Sequence, residues 1–135
     1  NYVPVGKYFA ATNMTSDQIG QLSREDPMRH QGVRHPRTAV ATTADNHLLL
    51  IVVDGRRPGI AEGMSAFELT SFIEDQFHPV QAMNMDGGGS SAMCVKGHGA
   101  EGTNVVNYPS GSRTFKHDKE RRVVTHIHIL DRMDR

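Results

Sequence analysis

Hydrophobic and polar positions along the chain change period several times, and the changes mark out its elements. From Arg37 to Thr43, and again from His47 to Val53, short apolar runs lie between turn-forming residues, the pattern of strands, and the second run stops at Asp54-Gly55. Phe67, Leu69, Phe72, Ile73 and Phe77 then form one broad apolar face at helical spacing that ends before Pro79. Ser65 and Glu68 have capping-box spacing, with Met64 and Leu69 placed as a hydrophobic staple, so a helix over residues 65–77 is expected to cover a sheet. Val80 to Met85 reads as the next strand, and Ser91 to Val95 and Val105 to Asn107 as two shorter ones. At the end, Val123, Thr125, Ile127 and Ile129 alternate with Val124, His126, His128 and Leu130, the period-two mark of a strand with one more polar face.

The remaining stretches are weaker. Tyr2 to Thr12 holds a short strand, Ser16 to Leu22 a brief helix capped by Ser16, and Ser23 to Arg34, Arg56 to Gly63 and Lys96 to Gly99 are loops or turns. About six strands and one main helix give an α+β fold, a single domain with a mixed, mostly antiparallel sheet and a βαβ-like step across residues 47–85. With 135 residues, 37% of them hydrophobic, the chain has material for one modest core. Residues 1–34 are weakly patterned and residues 35–130 carry the motifs.

Charge narrows the partners. Lysine plus arginine equals aspartate plus glutamate at 15 each, so no overall field draws the chain to nucleic acid, and no apolar run approaches membrane-spanning length. Eight histidines would make it cationic in mildly acidic surroundings. Cys94, the single cysteine, has no internal disulfide partner and reads as a small, half-buried strand residue rather than a nucleophile. The chain opens at Asn1 without an initiator methionine and reads as a piece of a longer protein.

Candidate chemistry concentrates where an apolar run ends in Asp86-Gly87-Gly88-Gly89-Ser90-Ser91. Three successive glycines exceed the need of a tight turn; such a loop aims N–H groups into one concavity, with Asp86 as carboxylate and Ser90 and Ser91 as donors at its edge. Arg37-Thr38, Asp54-Gly55-Arg56, and Asn107 with Ser110 also fall at predicted strand ends. Gathered at one sheet edge, they would form a pocket for a phosphorylated or hydroxyl-rich ligand. Each has a plainer reading: Asp86 a turn cap, Asp54-Gly55 a strand terminator, Arg37 a surface ion-pair partner, Asn107 the start of a turn. His126 and His128 share a strand face, but no third ligand at convincing spacing joins them, and no metal is expected. His30, His35 and His98 are loop residues without a distinguishable role, and the basic run from Lys116 to Arg122 reads as a solvated loop.

His35-Pro36-Arg37-Thr38-Ala39, Val52-Val53-Asp54-Gly55-Arg56, Gly63-Met64-Ser65 with Glu68-Leu69, Asn84 through Ser91, and Val106-Asn107-Tyr108-Pro109-Ser110 occur in one order. In that order they resemble the phosphodiester glycosidase family, which includes the lysosomal-targeting "uncovering enzyme" and bacterial exopolysaccharide-associated homologues. The resemblance covers roughly residues 35 to 123. Family domains usually carry an upstream portion with further pocket residues, which this chain is expected to lack in part, and the segment from Arg113 to Arg122 is longer than the family pattern.

The resemblance implies hydrolysis of a sugar-1-phosphodiester at the sugar C1–O bond, without a cofactor. It implies Asp86 as nucleophile or base and Asp54 as second carboxylate. Arg37 with Thr38 and Arg56, the Gly87, Gly88 and Gly89 backbone with Ser90 and Ser91, and Asn107 with Ser110 would bind the substrate. Partners are then a sugar phosphate or glycan and the upstream segment of the chain's own precursor, without nucleic acid or membrane insertion, in a secreted or envelope-associated protein. A non-catalytic glycan or phosphoglycan-binding module, and an acid-acting hydrolase of ordinary glycans, remain as alternatives.

Overall fold

Two hydrogen-bonded hairpin strands begin the sheet, β1 (Arg37–Thr42) and β2 (Leu48–Val53), paired from Arg37 opposite Val53 to Thr42 opposite Leu48. Their turn is closed by the Thr43 N–H donating to the His47 carbonyl, with Asn46 at φ 65°, a left-handed conformation that asparagine tolerates. The computed structural model describes residues 18, 21–23, 25–111, 114–118 and 120–130. The expected strand from Tyr2 to Thr12 and most of the brief helix from Ser16 to Leu22 lie outside them.

A third strand, β3 (Gln81–Asn84), pairs antiparallel with the other side of β1, from Ala39 opposite Asn84 to Thr42 opposite Gln81. The order is therefore β2-β1-β3. β2 and β3 run parallel to each other with β1 between them, and the chain passes from one to the other through the main helix. This is the βαβ-like step read from the sequence, opened by an inserted antiparallel strand. A short helix, α1 (Pro27–Gln31), stands within the stretch read as a loop, and the main helix, α2, spans Ala66–Phe77.

The start of α2 follows from local chemistry. The Ser65 hydroxyl accepts from the Glu68 N–H at 3.2 Å and the Glu68 carboxylate accepts from the Ser65 N–H at 2.9 Å, so two otherwise unpaired helix donors are satisfied. Arg34 lays its guanidinium on the same carboxylate, with Nε 2.9 and 3.0 Å from its two oxygens. That pairing is the largest influence and outweighs the opposing effect of burial, so that with the Ser65 N–H as a further, smaller contribution Glu68 is held below the usual carboxylate range. At the far end His78 takes the left-handed conformation and returns its N–H to the Glu74 carbonyl.

Leu69 and Ile73 are buried on the inner face of α2 against Ala39 and Ala41 of the central strand, with Leu49, Ile51, Val53 and Ala82 around them. Alanine on β1 lets the helix approach the sheet closely, and burying a leucine or isoleucine side chain contributes about 1.5–3 kcal/mol. The fold is α+β, as the residues imply.

Further expectations fail. Ser91 to Val95 and Val105 to Asn107 shorten to a single antiparallel bridge between Cys94 and Val105. Residues 123–130 form no strand and are exposed, Val124 at 99%; alternation is local, while a strand also needs an edge, and no described residue pairs with this one. Cys94 is exposed rather than half-buried.

Candidate functional site

The antiparallel register brings the start of β1 and the ends of β2 and β3 to one end of the sheet. The segments Val33 to Pro36, Asp54 to Arg56 and Met85 to Ser91 therefore converge. Pro36, fully buried, is the hub. A Cβ on Gly55 would stand 2.7 Å from the Pro36 nitrogen, and one on Gly87 would stand 2.7 Å from the Pro36 carbonyl oxygen.

Each glycine of the triplet is crowded by a different segment. Gly87 faces Pro36. Gly88, at φ 62°, lies under the Arg56 guanidinium, where a Cβ would come within 2.8 Å, and a Cβ on Gly89 would sit 3.0 Å from Gly111. The Gly88 N–H donates to the Pro36 carbonyl, and Gly88–Ser90 close one 3₁₀ turn through the Ser90 and Ser91 N–H groups donating to the Gly87 and Gly88 carbonyls. The Gly87 N–H donates to Asp86 Oδ1 at 2.9 Å. The triplet thus admits close packing, and the Gly87 and Gly88 N–H groups are engaged by Asp86 and Pro36 rather than offered to an anion.

Beside this loop opens a cleft of about 580 Å³. Of the residues read from the sequence, it brings together Arg37, Arg56, Asp86, Gly87, Gly88, Gly89 and Ser110. It does not bring in Thr38, Asp54, Ser90, Ser91 or Asn107. Asp54 accepts from Asn107 Nδ2 at 2.8 Å and from the Tyr108 N–H at 2.9 Å. Asn107 Nδ2 also donates to the Ser91 carbonyl at 3.1 Å, and its Oδ1 accepts from the Met93 N–H at 2.9 Å. Thr38 donates its hydroxyl to that of the buried Ser91. These residues tie the Asn107 to Ser110 segment to the end of β2, helped by Tyr108 stacking on His117 at 3.8 Å between ring centroids.

Arg37 lines the cleft but is only 6% exposed. Its Nε donates to the Met64 carbonyl, and its Nη2 to the carbonyls of His30 and Val33, each at 2.8 Å. The guanidinium read as an anion clamp is engaged in holding three backbone segments together.

Arg56 and Arg121 supply the less encumbered charge. Arg56 is exposed, at φ 62° and, among the described residues, without a hydrogen-bond or ion-pair partner for its guanidinium; Arg121 donates to the Ser90 hydroxyl. In the same cleft Ser110, 4% exposed, keeps a buried hydroxyl with no hydrogen-bond partner among the described residues. An unpaired buried hydroxyl is costly, and a ligand atom in the cleft would satisfy it. The lining residues include three arginines, two histidines, His30 and His35, and one carboxylate, Asp86. Burial first, then Arg56, Arg37 and His30, hold the His35 imidazole below its ordinary range, so it stays neutral amid these cations.

Sequence reasoning missed His30, His35 and Arg121. The His35-Pro36 pair at the start of a motif was the available signal for one of them; Arg121 sits in a charge run that has none. His126 and His128 stack at 4.4 Å between centroids, and among the described residues no group of three or more His, Cys, Asp or Glu is placed to hold a metal.

Fold and cleft together define a small α+β domain with a charged cavity suited to an anion. The chain matches the family model described as phosphodiester glycosidase over residues 10–130, and it belongs to that family. A 65-residue stretch, 48% of the chain, is 37% identical to the SPbeta prophage-derived uncharacterized protein YomE of Bacillus subtilis (strain 168), of which it covers 10%. A crystal structure from Burkholderia pseudomallei K96243, named "Putative exported protein", superposes on 64% of the chain at 35% identity with a TM-score of 0.51, over 16% of its own length. The chain thus matches a small part of each relative.

Proposed function

We infer that the cleft hydrolyses a sugar-1-phosphodiester at the sugar C1–O bond. The observation that carries the reading is that Asp86, Arg56, Arg121 and the unpaired Ser110 hydroxyl line one cavity. Phosphate oxygens lie between the two guanidiniums, and the Ser110 hydroxyl donates to one of them. Asp86 faces the anomeric carbon as nucleophile or activates the attacking water as base. A phosphate monoester leaves without a strong acid, so one carboxylate and a cationic wall suffice. The oxygen of water ends on C1, the C1–O bond breaks with its electrons going to the phosphate oxygen, and the water proton passes to solvent. In this reading Asp54 and Asn107 set the shape of the cleft and leave the chemistry to Asp86.

The test is incubation with methyl α-N-acetylglucosamine-1-phosphate in ¹⁸O-labelled water. Free sugar carrying the label, with unlabelled methyl phosphate, is expected; label in the phosphate, or no turnover at any pH, refutes the reading. Secretion or envelope association belongs to the same proposal, and the name of the solved relative points that way.

A second reading has one observation in its favour. Asp54 has hydrogen-bond partners on both carboxylate oxygens outside the cleft, which leaves a single acid among the described residues there. A phosphoglycan-binding module needs no more. Asp86→Asn separates the two: loss of turnover with affinity kept within a few-fold marks an enzyme, whereas a wild type that binds and never turns over marks a module.

A further inference from the structure

The cationic cleft has an apolar neighbour. Between α2 and β3 runs a groove of about 390 Å³, walled by Ala66, Leu69, Ile73, Val80 and Met83. Val80 and Met83 stand 64% and 55% exposed along its rim, large apolar side chains that no described residue covers. Among the described residues lining it, Glu74 alone is ionisable. Gln31 and Asn84 line both spaces, so groove and cleft meet along these two side chains. At that junction Gln31 Oε1 is buried and has no hydrogen-bond partner among the described residues, an acceptor left waiting for a donor.

We propose that the groove is the subsite for the second ester of the substrate, and that this ester is a hydrocarbon chain. The proposal rests on the reading of the cleft as a phosphodiester site. An occupant that spans both spaces is anionic at one end, among Arg56 and Arg121, and apolar at the other, along Leu69, Ile73, Val80 and Met83. A hydroxyl of the ligand at the junction satisfies Gln31. The continuity of the two spaces favours this amphiphile over a peptide strand laid on the free edge of β3, because a strand would leave the cationic end of the path empty. The groove volume lies within the range of small-molecule sites.

The test compares binding of methyl phosphate and n-octyl phosphate, below its micelle concentration, by titration calorimetry on the whole chain. Burial of four methylenes corresponds to roughly a hundredfold tighter binding. Octyl phosphate binding at least tenfold tighter than methyl phosphate, with that ratio collapsing in both Met83→Lys and Val80→Lys, supports the subsite. A ratio below tenfold overturns it, as does a preference that survives both substitutions. Absence of a preference in a wild type that is dimeric, with monomeric variants, assigns the groove to a second copy and also overturns it. The two readings fail separately. Equal affinities with sugar release retain hydrolysis and remove the groove; an octyl preference without sugar release does the reverse.

Discussion

Replacing Asn107 by aspartate is a sharp test of the view that Asn107 is architectural. The substitution preserves shape and keeps the oxygen that accepts from the Met93 N–H, but it turns the Nδ2 donor into an oxygen 2.8 Å from Asp54 Oδ1 and 3.1 Å from the Ser91 carbonyl. A hydrogen bond to a charged acceptor is worth about 1.5–3 kcal/mol and a neutral one about 0.5–1.5, so the two losses sum to roughly 2–4 kcal/mol. Two carboxylates in contact cannot both stay ionised. Holding one of them protonated at pH 7, against an ordinary value near 4, costs about 4 kcal/mol at 1.36 kcal/mol per pH unit. The protonated pair regains the contact between the two carboxyls, so the deficit at pH 7 is about 4 kcal/mol plus the roughly 1 kcal/mol bond to the Ser91 carbonyl, near the lower end of a small domain's stability of about 5–15 kcal/mol.

Acid should rescue most of it. In the variant, repulsion raises the pair's folded-state pKa above the unfolded value. The variant's stability relative to wild type is therefore greatest below the unfolded pKa and is lost as pH rises through the folded one. Below about pH 4 the introduced carboxyl, once protonated, also donates to Asp54, leaving chiefly the Ser91 carbonyl unpaired. Urea unfolding of both proteins at pH 4.5 and 7.5, with m-values compared, measures the difference. A deficit under about 1 kcal/mol at pH 7.5, or an equal deficit at both pH values, refutes the reasoning.

Other outcomes follow from the same contacts. Gly63 has φ 96° and a Cβ there would stand 2.4 Å from the His35 carbonyl oxygen, whereas Gly59, at φ 74°, has open space around it. Gly63→Ala should lower the melting temperature far more than Gly59→Ala, whose cost is confined to about 1–2 kcal/mol of backbone strain; equal shifts would show that the His35 segment yields. Ser65→Ala removes one half of the α2 capping box and should cost about 1 kcal/mol in urea unfolding, with the m-value unchanged. His35 has its folded-state pKa lowered by burial and then by the neighbouring cations, so the wild type loses stability as pH falls below about 6.5 toward that lowered value. His35→Gln should flatten this decline between pH 7.5 and 5, and an unchanged slope would place the titration elsewhere.

Local chemistry was legible in the residues and long-range pairing was not. The capping box at Ser65 and Glu68, and the apolar face that ends before Pro79, act within a few residues, and α2 forms where they place it. Residues 123–130 have an equally clear pattern, but a strand is completed by an edge elsewhere, and sequence alternation does not supply one. The same division runs through the site. Gly87, Gly88 and Gly89 betray close approach because only a missing side chain permits it, although the residues crowding them, Pro36, Arg56 and Gly111, were not readable. Arg37 and Asn107 looked like ligand groups since their polarity was visible while their partners, three carbonyls and Asp54, were not.

The electrostatic asymmetry of the cleft arises from how the chain distributes balanced charge. Its formal net charge is zero, so a cationic cavity requires acids to be engaged elsewhere. Glu62 and Glu68 are paired with Arg34, Asp45 with His47, and Asp54 with Asn107 and the Tyr108 N–H. Arg56 and Arg121 line the cavity with Asp86, and no second carboxylate is found among the described residues lining it. Attraction for an anion is then short-ranged, set by guanidiniums within the cleft rather than by the field of the molecule, and salt should weaken it modestly. Phosphate affinity measured between about 20 and 200 mM NaCl should fall by a few-fold, and Arg56→Ala should remove most of that dependence together with most of the affinity. A steep salt dependence that survives Arg56→Ala would mean that the anion is gathered by basic residues outside the cleft.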